Sequence, residues 1–325
     1  MEPSKTYLLV TKHFYVKNFV WFLLGCTFAL YSLPLAAQPG YNDFPVERFT
    51  PEQGFDNATP TCFLQDRTGV MWIGTENGLY RYDGTFRLYA RQANNPLSLS
   101  HNVVTALCED KEGILWVGTL GGLNRFDRAR NECIRYVYRA GDSSSLASDK
   151  IEYLYNDAEG RLWVIAKSIL HRFNKHSGKV ARRYYPKKFS AALDGSGKFL
   201  LKQGEELLQY DERNDTFTLV PFTLPADAEM FLNSGSDTLW FVANHALNAL
   251  NVRTGATVSR FQMQNFLGSG IPQFVVATTP DRIWFRTWSA LYQLNILTGT
   301  VRKCIPSISS ERLEPSRPSG GPGAI

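Results

Sequence analysis

The sequence is poor in cysteine, in histidine and in clustered charge, and each shortage excludes a class of protein. Its 325 residues include five cysteines and five histidines, with no C-x-x-C pair and no set at zinc-ligand spacing. The net charge of +5 is spread over interspersed basic and acidic residues, whereas nucleic-acid binding requires a concentrated basic face. Hydrophobic residues, at 44%, are too numerous for wholesale disorder. We therefore expect a folded protein that binds neither a metal nor nucleic acid.

Catalytic motifs are also missing. The segment GSGK (195–198) resembles the end of a phosphate-binding loop, but Ala192 and Phe199 stand where that loop needs Gly and Ser/Thr. There is no Gly-x-Ser-x-Gly elbow, and no histidine lies in the helical context that a phospho-accepting histidine requires. The sequence thus predicts no catalytic residue and no cofactor.

A long hydrophobic run occurs only near the N-terminus. Three lysines precede the uncharged stretch Phe19–Ala37, which contains Pro34 and ends in Ala36-Ala37. This pattern predicts a signal peptide over residues 1–37 that is cleaved before Gln38, and hence an exported protein. The alternative is an uncleaved membrane anchor, since 19 apolar residues could just span a bilayer.

Six internal repeats follow the predicted signal. Aligned without gaps, they are spaced 37–47 residues apart on the anchors Trp72, Trp116, Trp163, Leu200, Trp240 and Trp284. Seven residues after each anchor stands Leu79, Leu123, Leu170, Leu207, Leu247 or Leu291. Eleven residues after it stands Asp83, Asp127, Asn174, Asp211, Asn251 or Asn295. Six matches in two columns identify a true repeat.

Each repeat contains four short strands separated by turn signals. In the first, the strands are predicted at Thr61–Gln65, Val70–Thr75, Leu79–Tyr82 and Phe86–Tyr89. Four strands per repeat of this length predict an all-β fold, a β-propeller of four-stranded antiparallel blades. We expect the anchor side chains to fill the space between neighbouring blades.

The repeats divide the chain into four predicted segments. Residues 1–37 are the signal, 38–60 an N-terminal segment, 61–304 the propeller and 305–325 a disordered tail rich in Pro, Ser and Gly. Residues 44–49 are predicted to close the ring as the outer strand of the last blade. The repeats predict a six-bladed ring; the family resemblance described below implies instead a seven-bladed ring that a truncated reading frame has cut short.

One turn position repeats an acid and another a glycine. The residues are Asp66, Asp110, Asp157 and Asp194, followed three positions later by Gly69, Gly113, Gly160 and Gly197. Because these acids recur at a single turn position, we expect them to accept backbone N–H groups rather than to act in catalysis.

These motifs resemble the two-component regulator propeller family. Its pattern of an Asp-x-x-Gly turn, Trp-Ile-Gly-Thr and Gly-Leu-x-Arg-Tyr/Phe-Asp is matched by DRTGVMWIGTENGLYRYD (66–83) and DKEGILWVGTLGGLNRFD (110–127). The Ser-Leu-rich connectors 94–104 and 141–151 also fit, and the resemblance covers about residues 44–304. The later copies depart from it, with Leu200 in place of Trp and with Asp237 and Asp281 in place of the turn Gly.

The resemblance implies the periplasmic sensor region of a hybrid two-component histidine kinase. Such regions often detect oligosaccharides, pass the signal through one membrane helix and work as homodimers. The kinase and the membrane helix are not in this sequence. The alternatives are a free-standing exported propeller that acts as a binding or scaffold protein, and a propeller lyase or hydrolase, for which the repeats offer no acid/base cluster.

Ligands of propellers are bound by loops on one end of the ring. The loops between second and third strands offer Glu76, Asn77, Asn244, His245, Arg286 and Trp288, and the inter-blade connectors offer Asn95, His101, Asn102, Asp149 and Lys150. Trp288 leads this set because it is additional to the repeat's own tryptophan and suits stacking on a sugar. The simpler interpretation is that Trp288 packs between blades.

Overall fold

The fold is a β-propeller whose strands follow the repeats. The computed structural model describes residues 8–11, 46–49, 51–56, 58–194, 196–230, 238–244, 246–262, 274–279, 282–286, 291–295, 298 and 300–303. Within them lie six four-stranded antiparallel sheets, each a simple meander in chain order. The predicted all-β propeller class is therefore confirmed.

The first three blades come from the best-matched repeats. Blade 1 comprises β3 (Pro60–Gln65), β4 (Met71–Thr75), β5 (Leu79–Tyr82) and β6 (Phe86–Tyr89). Blade 2 comprises β7 (Val104–Glu109), β8 (Leu115–Thr119), β9 (Gly122–Asp127) and β10 (Glu132–Tyr136). Blade 3 comprises β11 (Ile151–Asn156), β12 (Leu162–Ala166), β13 (Ile169–Asn174) and β14 (Lys179–Tyr184). The four strands predicted in blade 1 agree with these bounds to within one residue.

The weaker repeats form the same unit. Blade 4 comprises β15 (Phe189–Leu193), β16 (Phe199–Gln203), β17 (Glu206–Asp211) and β18 (Thr216–Thr223). Blade 5 comprises β19 (Glu229–Met230), β20 (Thr238–Ala243), β21 (Ala246–Asn251) and β22 (Thr257–Gln262). Blade 6 comprises β23 (Phe274–Thr279), β24 (Arg282–Arg286), β25 (Leu291–Asn295) and β26 (Val301–Lys303). Loss of the anchor tryptophan at Leu200 therefore leaves the four-stranded meander intact.

The N-terminal segment pairs differently from the prediction. β2 (Val46–Phe49) pairs antiparallel with β1 (Leu8–Thr11), in a separate two-stranded sheet, and a short 3-10 helix follows at Pro51–Gln53. The outer position of the last blade is already filled by β26 of its own repeat. The ring-closing pairing expected for residues 44–49 is thus replaced by the pairing with β1.

The predicted signal and tail are largely beyond what the structure describes. β1 lies inside the predicted signal, and the rest of residues 1–37 and the tail 305–325 lie outside the described residues. No helix among the described residues is long and apolar enough to cross a membrane.

The anchor tryptophans pack across the interfaces between blades, as expected. Trp72, Trp116 and Trp163 are at most 1% exposed. Each meets an aromatic ring on the third strand of the next blade. The ring-centroid distances are 5.4 Å for Trp72–Phe126, 5.7 Å for Trp116–Phe173 and 4.8 Å for Trp163–Tyr210, all edge-on. These contacts hold adjacent sheets face to face.

The connectors between blades differ in length, and this difference shapes the surface. The connectors 90–103 and 137–150 reach the outer edges of blades 2 and 3, where Leu97 and Ser144 accept backbone N–H groups of Cys133 (2.6 Å) and Val180 (2.8 Å). The connector into blade 4 has only the four residues 185–188. This connector is too short to reach the outer edge of blade 4, so the surface between blades 3 and 4 stays open.

Candidate functional site

The repeated turn acids are saturated by hydrogen bonds. Asp110 is 1% exposed. Its Oδ1 accepts the N–H groups of Glu112 (3.0 Å) and Ile114 (2.9 Å), and its Oδ2 accepts the Trp116 indole N–H (2.8 Å). Asp66 and Asp157 bind their own anchor tryptophans at the same distance. The acid therefore links the turn to the anchor side chain, which explains why the two recur together.

Cations neutralise these buried acids across the blade interfaces. Arg128 of blade 2 contacts Asp66 of blade 1 (Nη1–Oδ2, 3.1 Å), and Lys175 of blade 3 contacts Asp110 of blade 2 (Nζ–Oδ2, 3.2 Å). Burial alone would raise the pKa of Asp66, but the hydrogen bonds from Thr68 and Trp72 and the charge of Arg128 keep that pKa below its usual value. These acids are thus ionised structural groups.

Blade 3 carries its own cation instead. Blade 4 supplies Glu212 at the position of Arg128 and Lys175. Arg161, four residues after Asp157, contacts Asp157 (Nε–Oδ2, 2.6 Å) and also contacts Glu212 (Nη1–Oε1, 3.1 Å). A cation in the same blade therefore compensates for the acid that the neighbour supplies.

The predicted ligand-binding loops lie on the opposite end of the blades from these turns. In a four-stranded meander, the loop between second and third strands and the connector to the next blade share one end. We call this the connector end. His245 and Trp288 lie outside the described residues, and Arg286, the last residue of β24, pairs in register with Phe274 and Leu291. The structure leaves the roles expected of these three residues as predictions.

The other loop candidates are exposed. Glu76 and Asn77 lie in the exposed turn of blade 1, where Asn77 N–H donates to Thr75 Oγ1 (3.1 Å). Asn244 has a positive φ of 50°, and its N–H donates to Asp227 Oδ2 (2.8 Å). The side chains of Glu76, Asn77 and Asn244 therefore face solvent at the connector end, but in blades 1 and 5, far apart in the repeat order.

The connector candidates brace the connectors themselves. Asn102 Oδ1 accepts the Arg91 N–H (2.7 Å), and Asp149 Oδ1 accepts the Tyr138 N–H (2.6 Å), and each bond joins residues eleven positions apart in the chain. His101 Nδ1 accepts the Val103 N–H (2.9 Å), and Asn95 Oδ1 accepts the Leu97 N–H (2.9 Å). These side chains therefore have local structural roles within the connectors.

Lys150 is the remaining connector candidate. Its side chain is exposed, and its backbone N–H donates to Ser148 Oγ (3.1 Å). It stands at the end of the connector, directly before β11.

A groove opens at the connector end where the connector is short. Its volume is about 870 Å³, and its wall is formed by the first strands of blades 3 and 4, the turns that follow their second strands, and the connector residues 186–188 and 226–228. Its lining includes Glu152, Tyr153, Lys187, Lys188, Lys202 and Asp227. This volume lies within the range of small-molecule sites.

The groove combines an exposed aromatic ring with several charges. Tyr153 is 59% exposed, while the neighbouring Tyr155 donates its hydroxyl to the Ala191 carbonyl (3.0 Å). Lys202 is 6% exposed, and its Nζ donates to the Ala226 carbonyl (2.9 Å). None of these residues was among the sequence-predicted site residues. Two signals could have identified them: the short repeat interval before blade 4, and a lysine at a repeat position that is small or apolar in blades 1, 2, 3 and 5.

Comparisons with known proteins agree with this architecture. The two-component regulator propeller family model matches residues 54–77 and 98–121. Histidine kinase P4 of Formosa agariphila is 32% identical over 74 residues, which cover 22% of this chain and 5% of the kinase. The match therefore spans a small part of that curated relative.

Two solved structures are similar in fold. The extracellular domain of a putative hybrid two-component system of B. thetaiotaomicron has a TM-score of 0.60 at 20% identity, covering 76% of this chain and 36% of that domain. Virginiamycin B lyase of Staphylococcus aureus has a TM-score of 0.58 at 17% identity, covering 77% of this chain and 84% of the lyase. The family model thus identifies residues 54–77 and 98–121 as repeats of the two-component regulator propeller type, and the solved structures show that the chain shares their propeller fold.

Proposed function

We propose that this chain is the ligand-sensing propeller portion of an exported two-component sensor and that its ligands are oligosaccharides. The matched repeats, the kinase relative and the extracellular neighbour support the sensor role. The predicted signal peptide supports a periplasmic location. The chain would act by binding alone and would signal as a homodimer through a kinase and a membrane helix.

The groove between blades 3 and 4 is the observation that carries this proposal. It lies at the connector end and presents an exposed ring, Tyr153, among charged side chains. Apolar C–H faces of sugars stack on such rings, and sugar hydroxyls bond to charged and amide groups around them. The turn acids lie at the end of the blades opposite the connector end. They are held in hydrogen bonds and ion pairs, so their role is structural and not catalytic.

A reporter fusion tests the sensing role. The full chain would be joined through its C-terminus to the membrane helix and kinase of a characterised sensor whose output is read from a transcriptional reporter. Cells would then be exposed to a panel of oligosaccharides from plant, algal and host glycans. We expect at least one oligosaccharide to change the reporter signal, and Tyr153→Ala to abolish that change.

Matched controls separate the outcomes. Tyr185, 70% exposed and not part of the groove lining, provides the control Tyr185→Ala. The purified chain could bind an oligosaccharide of the panel while no oligosaccharide changes the reporter signal. That result would favour a free-standing binding protein. The sensing proposal would then be wrong.

A further inference from the structure

Lys202 occupies a position that blades 1, 2, 3 and 5 fill with small or apolar residues and that blade 6 fills with Arg286. The position lies two residues after the anchor and holds Gly74, Gly118, Ile165, Lys202 and Val242 in blades 1 to 5. A Cβ on Gly74 would lie 2.7 Å from Val104 Cγ1 of the next blade. The position thus faces the interface between blades, an unfavourable place for an ammonium group.

The charge of Lys202 is only partly compensated. Its hydrogen-bond acceptor is a neutral carbonyl, that of Ala226, and no carboxylate of the described residues lies within 4.0 Å of its Nζ. Burial lowers the pKa of Lys202 below its usual value; the charges of Asp227 and Glu205 raise that pKa and the charge of Lys188 lowers it, without reversing the effect of burial. A buried cation is costly unless a nearby anion pairs with it.

The remaining charges of the groove do not supply that anion. Glu152 accepts the Ser168 N–H (3.0 Å), and Asp227 accepts the Asn244 N–H (2.8 Å). Lys187 and Lys188 are exposed on the connector, and neither forms an ion pair with the described residues. Glu229, the third carboxylate of the lining, is exposed and lies more than 4.0 Å from the amino groups of the three lysines. Among the described residues, Lys187, Lys188 and Lys202 therefore have no acidic partner within ion-pair distance.

We propose that the groove binds an acidic sugar, whose carboxylate or sulfate accepts hydrogen bonds from Lys202 and whose ring stacks on Tyr153. The inference rests on the proposed function, because it names the ligand class of the same groove. Lys187 and Lys188 would attract the anion to the rim, and Lys202 would hold it inside. A charge-assisted bond to a buried ammonium group such as that of Lys202 is stronger than one at the surface.

Titration calorimetry on the full chain tests this inference. The probes are trigalacturonate, its methyl ester, which has the same rings without the charges, and inorganic sulfate. We expect trigalacturonate to bind at least tenfold more tightly than the ester, sulfate to compete with it, and added salt to weaken it. Equal binding of acid and ester, or binding of neither trigalacturonate nor sulfate, would overturn the inference.

Matched variants locate the site. Lys202→Met should reduce trigalacturonate affinity at least tenfold, and Lys202→Arg should retain most of it. Lys198→Met removes an exposed lysine from the opposite end of the same blade and should have no effect. If Lys202→Met destabilises the protein but binds trigalacturonate as before, Lys202 serves only to hold the connector at Ala226 and the inference is wrong.

The two proposals fail separately. If neutral oligosaccharides drive the reporter equally well in the parent fusion and in Lys202→Met, the acidic-sugar site is wrong and the sensing role stands. If trigalacturonate binds through Lys202 but no acidic sugar or other oligosaccharide changes the reporter, the site stands and the sensing role is wrong.

Discussion

His171 shows how one residue can take over the structural role of another in a repeat. In blade 2 the corresponding Asn124 accepts the Ser100 N–H (2.9 Å) and donates to the Val117 carbonyl (3.0 Å). In blade 3, His171 Nε2 accepts the Ala147 N–H (3.1 Å), and His171 Nδ1 lies 3.1 Å from the Val164 carbonyl. Both bonds require a neutral ring that carries its proton on Nδ1.

This substitution predicts an acid-sensitive fold. Burial lowers the pKa of His171 to about 4, below its unfolded value near 6.5, so the unfolded chain binds the proton first. Stability contributed by the neutral ring is fully present above about pH 6.5 and is lost as the pH falls towards 4, by roughly 3 kcal/mol in total. The urea midpoint, measured from pH 7.5 to 4.5, should fall accordingly.

A variant pair isolates this effect from general acid unfolding. His171→Asn copies Asn124 of blade 2 and should flatten the pH dependence of the midpoint between 6.5 and 4.5, whatever its stability at pH 7.5. His176→Asn changes an exposed histidine of the same blade and should leave the dependence as it is. Equal slopes in the parent and in His171→Asn would show that another group is responsible.

At the scale of elements, the connectors act as edge protection. Arg135, on the outer strand of blade 2, donates to the carbonyls of Ser98 and Asn95, both at 2.8 Å. Arg183 of blade 3 donates likewise to the carbonyl of Ser145 (2.8 Å). These bonds hold the connectors against outer strands whose backbone groups would otherwise be open to another chain.

Removing one of these arginines should loosen its connector. We expect Arg135→Met to release residues 92–99 from blade 2, because three hydrogen bonds from the guanidinium are lost and Cys133 N–H then loses its acceptor. Chymotrypsin should cleave the variant after Leu97 at least tenfold faster than the parent, with a stability loss of about 1–2 kcal/mol.

The same chain offers a control. Arg130 is exposed and forms only a long pair with Asp127 (3.7 Å), so Arg130→Met should be cleaved at the rate of the parent protein. Unchanged cleavage of Arg135→Met would mean that the backbone bond from Cys133 to Leu97 is sufficient to hold the connector.

At the scale of the whole molecule, blade 4 has an unprotected outer edge. Its outer strand, Thr216–Thr223, has no charged residue and pairs on one side only within the described residues, and Leu219 is 63% exposed. The groove and this open edge have the same origin, because the short connector 185–188 covers neither. An edge of this kind promotes association between molecules, although Pro221 limits it.

A charge placed on this edge should reduce aggregation. We expect Leu219→Lys to lower light scattering of concentrated protein on heating, without lowering the urea midpoint. Ile134→Lys adds the same charge at a half-exposed site on blade 2, whose edge the connector already covers, and should change scattering little. Equal effects of the two variants would indicate net charge, and not edge pairing, as the cause.

Local patterns were sufficient to predict the blades. Turn residues and the Trp and Leu columns lie within one repeat, so the four strands of blade 1 and the class of fold could be predicted from them. The partners of residues 44–49 depend on chain ends rather than on the repeat, and the observed pairing with Leu8–Thr11 has no local signal.

The candidate site was less predictable for a physical reason. Asn102 and Asp149 are polar residues in loops, and their sequence does not show that their oxygens are already bound to backbone N–H groups. Lys202 and Tyr153 lie in strands, where alternation predicts burial. They line a groove because the four-residue connector 185–188 is too short to cover them.

The cations that cross the blade interfaces make the order of the blades matter. Blade 2 contributes Asp110 and relies on Lys175 from its successor, whereas blade 4 contributes Glu212 to its predecessor. Joined directly, blades 2 and 4 would face each other with two acids, and Ile114 stands where blade 3 has the compensating Arg161. Although the repeats look similar in sequence, they are not interchangeable. Gene duplication or recombination could therefore insert a new blade between two existing ones only together with a neighbour of matching charge.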